Sequence, residues 1–534
     1  MAFERIVARS IGDILRIIIT FTRPFSDKIL SILYRIFMGP TKPLPPIRNP
    51  LLLYTASELA EKIRKRQVKC EDVMKAYVER SREVHPFINA ACDERYEYAL
   101  KDARNIDIFL DKNEKLLDDI ERDTPLLGVP FTCKEAIGVK GMAQTCGYYK
   151  SKNAVAAQDA DTTALYRKAG AIPVTVTNVP ETLLWWESAN LVFGMSKNPY
   201  DNTRTVGGSS GGEAAIITSA AAVIGIGSDL AGSIRMPSSF CGIFGHKPSR
   251  NYISNCSPED AEEDALLDDF ISTGPMCRYA KDLSLLVRIL SDNSNKVPLD
   301  KRVNFRNVKI YYMEEIPGKL NCSTPDAKNK IHQAVKHFET TYGVTPTRLE
   351  MDELEYAFPM WECKLLKRGI SSVKDILAGK DGKINLWLEL LKSLFRMSNH
   401  TLPSIFLAMI ERRSKDKLYH FCLQQYRSME KKFLEIFKED AIFLIPTHPE
   451  TPPHYLMTIP KYPNIAYTCI FSILGFASTQ IPAGLSHGLP FGIQAISGYY
   501  KDHLTIATAI ELEEVFGGWI SPSPVVLAKD KLRT

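Results

Sequence analysis

The chain runs to 534 residues, 45% apolar and 24% charged, so a large buried core is available and disorder is not the default. Its net charge of +5 resides entirely in residues 1–50, where Arg5, Arg9, Arg16, Arg23, Lys28, Arg35, Lys42 and Arg48 face only Glu4, Asp13 and Asp27; the rest is neutral, which argues against nucleic-acid binding by the body of the protein. Eleven cysteines without a CxxC pair, and ten histidines without ligand spacing (His332 and His337 stand five apart), exclude a zinc site or disulfide framework and fit reduced thiols in a cytosol-facing domain; neither metal nor cofactor is expected.

Residues 1–39 are rich in Ile, Leu and Phe, but no uncharged run exceeds six residues, which fits neither a clean transmembrane span nor a signal peptide. Ile11, Ile14, Leu15, Ile18 and Phe21 follow helical spacing, as do Ile29, Leu33, Ile36 and Phe37, with Pro24 between the sets. Basic amphipathic helices of this kind suit a membrane interface; the alternatives are a helix pair packed on the body and a tilted anchor. Pro40 to Pro50 holds five prolines and reads as a stiff linker, so residues 1–50 form a membrane-associating segment and 51–534 the folded domain.

That domain opens on the capping box Thr55–Glu58. Helices are predicted over 56–65, 71–84 and 94–112, with Pro86 as a break. Residues 126–134 read as a strand entering a loop, 161–169 as a helix and 171–177 as a strand. Residues 211–223 suit a buried helix and 224–227 a strand. The alternation predicts an α/β fold. Beyond 280 helices dominate until strands at 441–446 and within 478–497. In 384–411, Ile384, Trp387, Leu388, Leu391 and Phe395 form one apolar stripe, and Ile405–Ile410 resumes after Ser398–Pro403. The segment is either two core helices or a membrane cap.

Chemistry concentrates in 207–237, GGSSGGEAAIITSAAAVIGIGSDLAGSIRMP. Glycine clusters persist where backbone must turn sharply or approach a ligand closely. A nucleotide loop is excluded because Gly212 is followed by Glu213 rather than lysine. Acyl transfer by serine remains, and serine needs a base. No GxSxG elbow surrounds Ser233 and no histidine lies nearby, which leaves a Ser–Lys arrangement.

GGSSGGE at 207–213 and GSDLAGSIRMP at 227–237, with 24 residues from Ser209 to Ser233, resemble the amidase signature. GVPFTCKEA (128–136), TNVPE (177–181), NPYDNTRTVGGSSGG (198–212), FGHKPS (244–249), FLIPTHP (443–449) and GLPFGIQ (488–494) match in order, covering roughly 52–520. Within the family, the eukaryotic fatty-acid amide hydrolases of the second, membrane-bound type are the most similar. The resemblance implies a large mixed twisted β-sheet surrounded by α-helices. It also implies catalysis by Ser233 as nucleophile, Ser209 as proton shuttle after a cis Gly208–Ser209 peptide, and a neutral Lys134 as base. An oxyanion hole from the N–H groups of Leu230, Ala231, Gly232 and Ser233 is implied, with Ala231 where many relatives have glycine. Leu183 and Leu184 fall where such hydrolases line an acyl channel; otherwise they are core. Ser210 either bonds within the loop or caps the 211–223 helix, and Asp229 and Arg235 read as structural charges. The implied partners are a lipid amide and a membrane surface, with no nucleic acid and a homodimer left open. The rival functions are a hydrolase of small amides or esters, a glutamine-dependent amidotransferase subunit and a non-catalytic membrane scaffold.

Overall fold

The computed structural model describes residues 41–255, 268–318, 322–379, 382–411 and 414–527, with Ile29, Ile32, Leu33 and Ile36. Strands buried at nearly every residue form the middle of one sheet, so neither of its faces is left to water. Its strands are β1 (Ala91–Glu94), β2 (Pro130–Lys134), β3 (Ile172–Thr177), β6 (Ile224–Asp229), β7 (Phe244–Lys247), β8 (Ser272–Cys277), β9 (Lys309–Tyr312), β10 (Thr347–Arg348), β11 (Ala441–Pro446), β12 (Ala477–Ser486) and β13 (Leu489–Ser497). A separate small pair is β4 (Ala189–Asn190) and β5 (Gly194–Met195). The large sheet has eleven strands in the order β1-β3-β2-β6-β8-β7-β12-β13-β11-β9-β10. It is mixed: β2 runs parallel to β3 and β6, whereas β8, β7, β12 and β13 alternate antiparallel.

Strand β11 shows why helices cover both faces. Ile442 and Leu444 enter one core, while Phe443 and Ile445 enter the other. The first core packs helices Ala56–Arg64, Cys70–Ile88, Leu283–Leu290, Pro325–Tyr342 and Asp502–Phe516. The second packs Ala357–Arg368, Lys417–Ile436 and Ala466–Leu474. This is the large mixed sheet wrapped by helices that the sequence implies. Because β2 and β6 are adjacent and parallel, their C-terminal ends, Lys134 and Asp229, emerge at one sheet edge.

Several boundaries differ from expectation. Both halves of the Thr55–Glu58 capping box form, but helix Cys70–Ile88 continues through Pro86 to a left-handed Asn89. A proline removes one backbone donor, and here that loss falls in the last turn. The next helix starts at Tyr96 because Ala91–Glu94 pairs with β3 as strand β1. Strands β9 and β10 lie in the stretch where helices are expected to dominate. The proline-rich stretch is no free linker: Leu44 and Ile47 are buried, Ile47 pairs with the C-terminal segment at Pro524 and Val526, and Arg80 donates to the Pro45 carbonyl at 2.9 Å. Of the two N-terminal sets, Ile29, Leu33 and Ile36 are helical and exposed, so these three do not pack on the body. Phe37 and the set from Ile11 to Phe21 lie outside the described residues. No helix among the described residues is long and apolar enough to cross a membrane.

The 384–411 segment forms two helices, Leu386–Leu394 and Leu402–Ile410. No residue of the first is buried, and Trp387, Leu394, Phe395 and Met397 are about 70% exposed, so it is not a core helix. The second buries Pro403, Ser404 and Ile405 and packs Phe406 on Trp185.

Candidate active site

Lys134 closes β2 with its side chain buried and no carboxylate bonded to it. Its Nζ lies 2.6 Å from Ser209 Oγ, 2.8 Å from Ser228 Oγ and 3.4 Å from the Ser228 carbonyl oxygen. Burial strips the ammonium form of solvent and pulls the pKa down to about 7, against the weaker opposing pull of Asp229, Cys146 and Glu135. Glu135 is turned away: its carboxylate accepts from the Thr145 and Cys146 N–H groups.

Ser209 follows a cis Gly208–Ser209 peptide. Ser188 fastens this loop, donating to the Gly207 carbonyl at 3.0 Å and accepting from Gly211 N–H at 3.0 Å. The helix that follows, Gly211–Thr218, is buried along its whole length, which its small residues permit. The Ser210 N–H donates to the Ser233 carbonyl at 3.1 Å and so ties the two serine loops together. The Ser210 side chain does not cap the following helix. It occupies the N-cap position without a capping bond, and its hydroxyl donates to the Ser228 carbonyl at 3.4 Å, away from the pocket.

The loop after β6 folds around Asp229. This carboxylate accepts from Gly232 N–H at 2.7 Å, Ile234 N–H at 3.1 Å, Arg235 Nε at 3.0 Å and Arg235 Nη2 at 2.9 Å. Burial alone would raise its pKa; the Arg235 charge and these donors hold it at about 2. Arg235 reaches on to Gln494 Oε1, the Thr468 carbonyl and Ser472 Oγ, each at about 3 Å. Both residues are therefore structural charges, as the sequence suggests.

Gly232 has φ of +124°, and a Cβ there would overlap the Thr468 hydroxyl, so only glycine fits. Ala231 keeps a negative φ, and the missing glycine at that position costs nothing. Trp361 Nε1 donates to the Leu230 carbonyl at 3.3 Å and Thr468 Oγ1 to the Ala231 carbonyl at 2.6 Å, which orients these peptides. The Gly232 N–H is engaged by Asp229 and is withdrawn from the expected oxyanion set. Among the described residues, the N–H groups of Leu230, Ala231 and Ser233 donate to no protein acceptor.

The Ser233 hydroxyl bonds to no described residue, and Ser233 lies half-buried in the floor of a pocket beside Gly208, Leu230, Ala231 and Gly232. The pocket lining is apolar: Leu183, Leu184, Trp185 and Trp186, with Leu407 packed against the two tryptophans, together with Phe358, Trp361, Leu365, Leu366, Val373 and Ile376. Among the described residues, the only charged groups in this lining are Glu362 and Glu411. Lys134 and Ser209 are not part of the lining. The structure thus brings together Lys134 and Ser209 directly, and Leu183 and Leu184 with Ser233 across the pocket.

Ser228, Thr468 and Trp361 were not singled out from the sequence. Ser228 lies within GSDLAGS and was visible there; Thr468 and Trp361 sit in helices with no local signal. Among the described residues no cluster of three or more His, Cys, Asp or Glu side chains could hold a metal.

The family model described as Amidase matches residues 72–506. Fatty-acid amide hydrolase 2 of Homo sapiens is 39% identical over 490 residues, covering 89% of this chain and 92% of the human one. Fatty-acid amide hydrolase 2-A of Danio rerio is 38% identical over 493 residues, covering 91% and 92%. A solved fatty acid amide hydrolase is similar in fold with a TM-score of 0.69 at 23% identity, covering 90% of this chain and 87% of its own.

Proposed function

The chain belongs to the amidase family of amide hydrolases, and we propose that it is a membrane-associated member that cleaves fatty-acid amides to a fatty acid and an amine through Ser233, Ser209 and Lys134. One observation carries this reading: an unpaired Ser233 hydroxyl at the floor of an apolar pocket, backed by a buried Lys134 bonded to Ser209 at 2.6 Å.

Ser233 Oγ attacks the amide carbon while its proton passes to Ser209, whose own proton passes to neutral Lys134. The carbonyl oxygen gains the negative charge and meets the N–H groups of Leu230, Ala231 and Ser233. Collapse breaks the C–N bond, and the amine leaves with the proton returned from Lys134 through Ser209. Water, deprotonated along the same path, then cleaves the acyl ester and frees Ser233. The Ser209 hydroxyl rests on Lys134, which supports the last link of this path.

Supporting a lipid substrate are the apolar pocket lining, including Leu183 and Leu184, and the helix Leu386–Leu394 with its exposed Trp387, Leu391 and neighbouring Phe395. Exposed apolar surface of this kind marks an interaction site, and the basic composition of residues 1–50 suits an anionic membrane facing the cytosol.

The test is a series of primary amides from two to eighteen carbons at constant detergent. Each buried CH₂ is worth about 0.8 kcal/mol, so kcat/KM should climb steeply with chain length. A flat profile, or a preference for the shortest members, would overturn the lipid reading. Adduct mapping with a fluorophosphonate should find Ser233; an adduct on Ser209 or Ser210 instead would overturn the mechanism.

A further inference from the structure

The Leu402–Ile410 helix is one wall of the pocket through Leu407, yet it belongs to a segment whose other helix is wholly unburied. Something must hold it in register with Ser233. The N-terminal end of this helix is held by one buried carboxylate. Glu181 accepts from His400 Nδ1 at 2.7 Å, from the Thr401 N–H at 2.7 Å and from the Thr401 hydroxyl at 3.0 Å. The opposite end is held by Glu411, which accepts from the Val373 N–H at 2.9 Å. Val373 opens the short helix Val373–Ala378, whose Ile376 faces the same pocket.

Glu181 also adjoins the Leu183–Leu184 part of the lining, against which the helix packs through Phe406 on Trp185. It lies two residues before Leu183, and the turn between them carries Thr182 and Leu183 at φ of 54° and 65°. Two consecutive non-glycine residues in the left-handed region persist only where surroundings enforce them. The Glu181 main chain belongs to this turn, its carbonyl accepting from the Leu184 N–H, while its side chain, through His400 and Thr401, holds the helix that presents Leu407. His400 is steadied by stacking on Tyr148 at 6.2 Å, and the Tyr148 hydroxyl donates to the Leu377 carbonyl.

We propose that Glu181, with His400, is a positioning residue that sets the gap between the Leu183–Leu184 turn and the Leu402–Ile410 helix, and so sets which acyl chains the pocket accepts. This rests on the lipid-amide reading above. Without the latch the helix shifts outward, long chains lose contact along one side, and short chains, which end before Leu407, lose less.

The test compares Glu181→Gln, Glu181→Ala and His400→Ala with wild type on octanamide and octadecanamide, with active sites counted by fluorophosphonate labelling. The expected result is a fall of about tenfold in the ratio of kcat/KM for the long amide to that for the short one, carried by KM, in Glu181→Ala and His400→Ala. Glu181→Gln, which keeps one acceptor oxygen, should lie between them and wild type. Amide hydrogen exchange over 402–411 should quicken in the same order. If Glu181→Ala fails to fold, His400→Ala and Glu181→Gln carry the comparison. An unchanged ratio in variants of an enzyme that itself favours the long amide overturns this inference alone, even when overall activity or Tm falls. A wild-type profile without chain-length preference overturns the lipid-amide reading and this inference with it.

Discussion

Replacing Lys134 by methionine should destroy activity and strengthen the fold at the same time. The ordinary lysine pKa of 10.5 falls to about 7 in this buried site, and at 1.36 kcal/mol per unit the charged form is disfavoured by about 5 kcal/mol. Between pH 7 and 10.5 the unfolded chain holds this proton and the folded chain does not, so the folded state gains stability as pH rises across that window. Below pH 7 the whole penalty is present. Methionine removes it but forfeits the bonds to Ser209 and Ser228, worth about 1 kcal/mol each. The net gain at pH 6 is about 3 kcal/mol, or about 3 °C in Tm for a chain of this size. Loss of general-base catalysis alone lowers kcat by about 10²–10⁴, and more when the base acts as one unit with two serines. Calorimetry between pH 6 and 10 and a kcat/KM profile on a soluble amide check both halves. The wild-type profile should rise tenfold per unit below about pH 7 and level off above it. An inflection near pH 10, a lower Tm for Lys134→Met at pH 6, or near-normal turnover in the variant would each refute the reasoning.

Gly232→Ala forces a Cβ onto Thr468 and reorients the loop bearing the proposed oxyanion donors. Loss of one such donor costs about 10²–10³ in kcat, so amide turnover should fall at least that far; a variant within tenfold of wild type would show that the loop tolerates the shift. Glu213, bonded to Thr132 and Thr177, has its pKa raised to about 8 by burial. A raised carboxyl pKa adds stability that is full below its unfolded value of 4.5 and is lost as pH rises through 8. Wild type should therefore lose more Tm than Glu213→Gln between pH 5 and 9, and equal losses would contradict that protonation state. The triple change Trp387→Ser, Leu391→Ser and Phe395→Ser should weaken co-sedimentation with anionic vesicles while sparing hydrolysis of a soluble amide. Unchanged sedimentation would move the attachment to the N-terminal segment, which deletion of residues 1–40 tests in turn.

What could be read from the sequence is what local pattern encodes. The capping box at Thr55, the apolar run of β11 and the glycine-rich stretch at 207–213 each carry their information within a few residues. The proposed base was legible only through resemblance, because nothing around Lys134 says that Ser209 will lie 75 positions away and 2.6 Å distant. Strand β1 was missed because Ala-Cys-Asp-Glu has no alternation; pairing with β3 makes it a strand. The proline-rich stretch misled for a similar reason. Its prolines lack donors, but their carbonyls remain available, and Arg80 uses one. The fate of the Gly232 N–H was hidden too, since sequence shows Asp229 nearby but not the direction its carboxylate faces. The exposed stripe on Leu386–Leu394 was legible as a pattern, while its exposure depended on what the remaining chain left uncovered.

The reach of Arg235 decides how small this protein can be made. Every group proposed to handle a proton lies between 134 and 233, so a fragment ending near 300 would contain the whole proposed chemical apparatus. Yet the nucleophile loop is gripped through Arg235 by Gln494 on β13, and by Thr468 and Ser472 on the helix Ala466–Leu474. A transcript or protease product lacking the last hundred residues would therefore carry an intact signature and an unsupported serine. The segment that identifies such a chain is not sufficient to run it, and shortened forms are candidates for inert decoys rather than minimal catalysts.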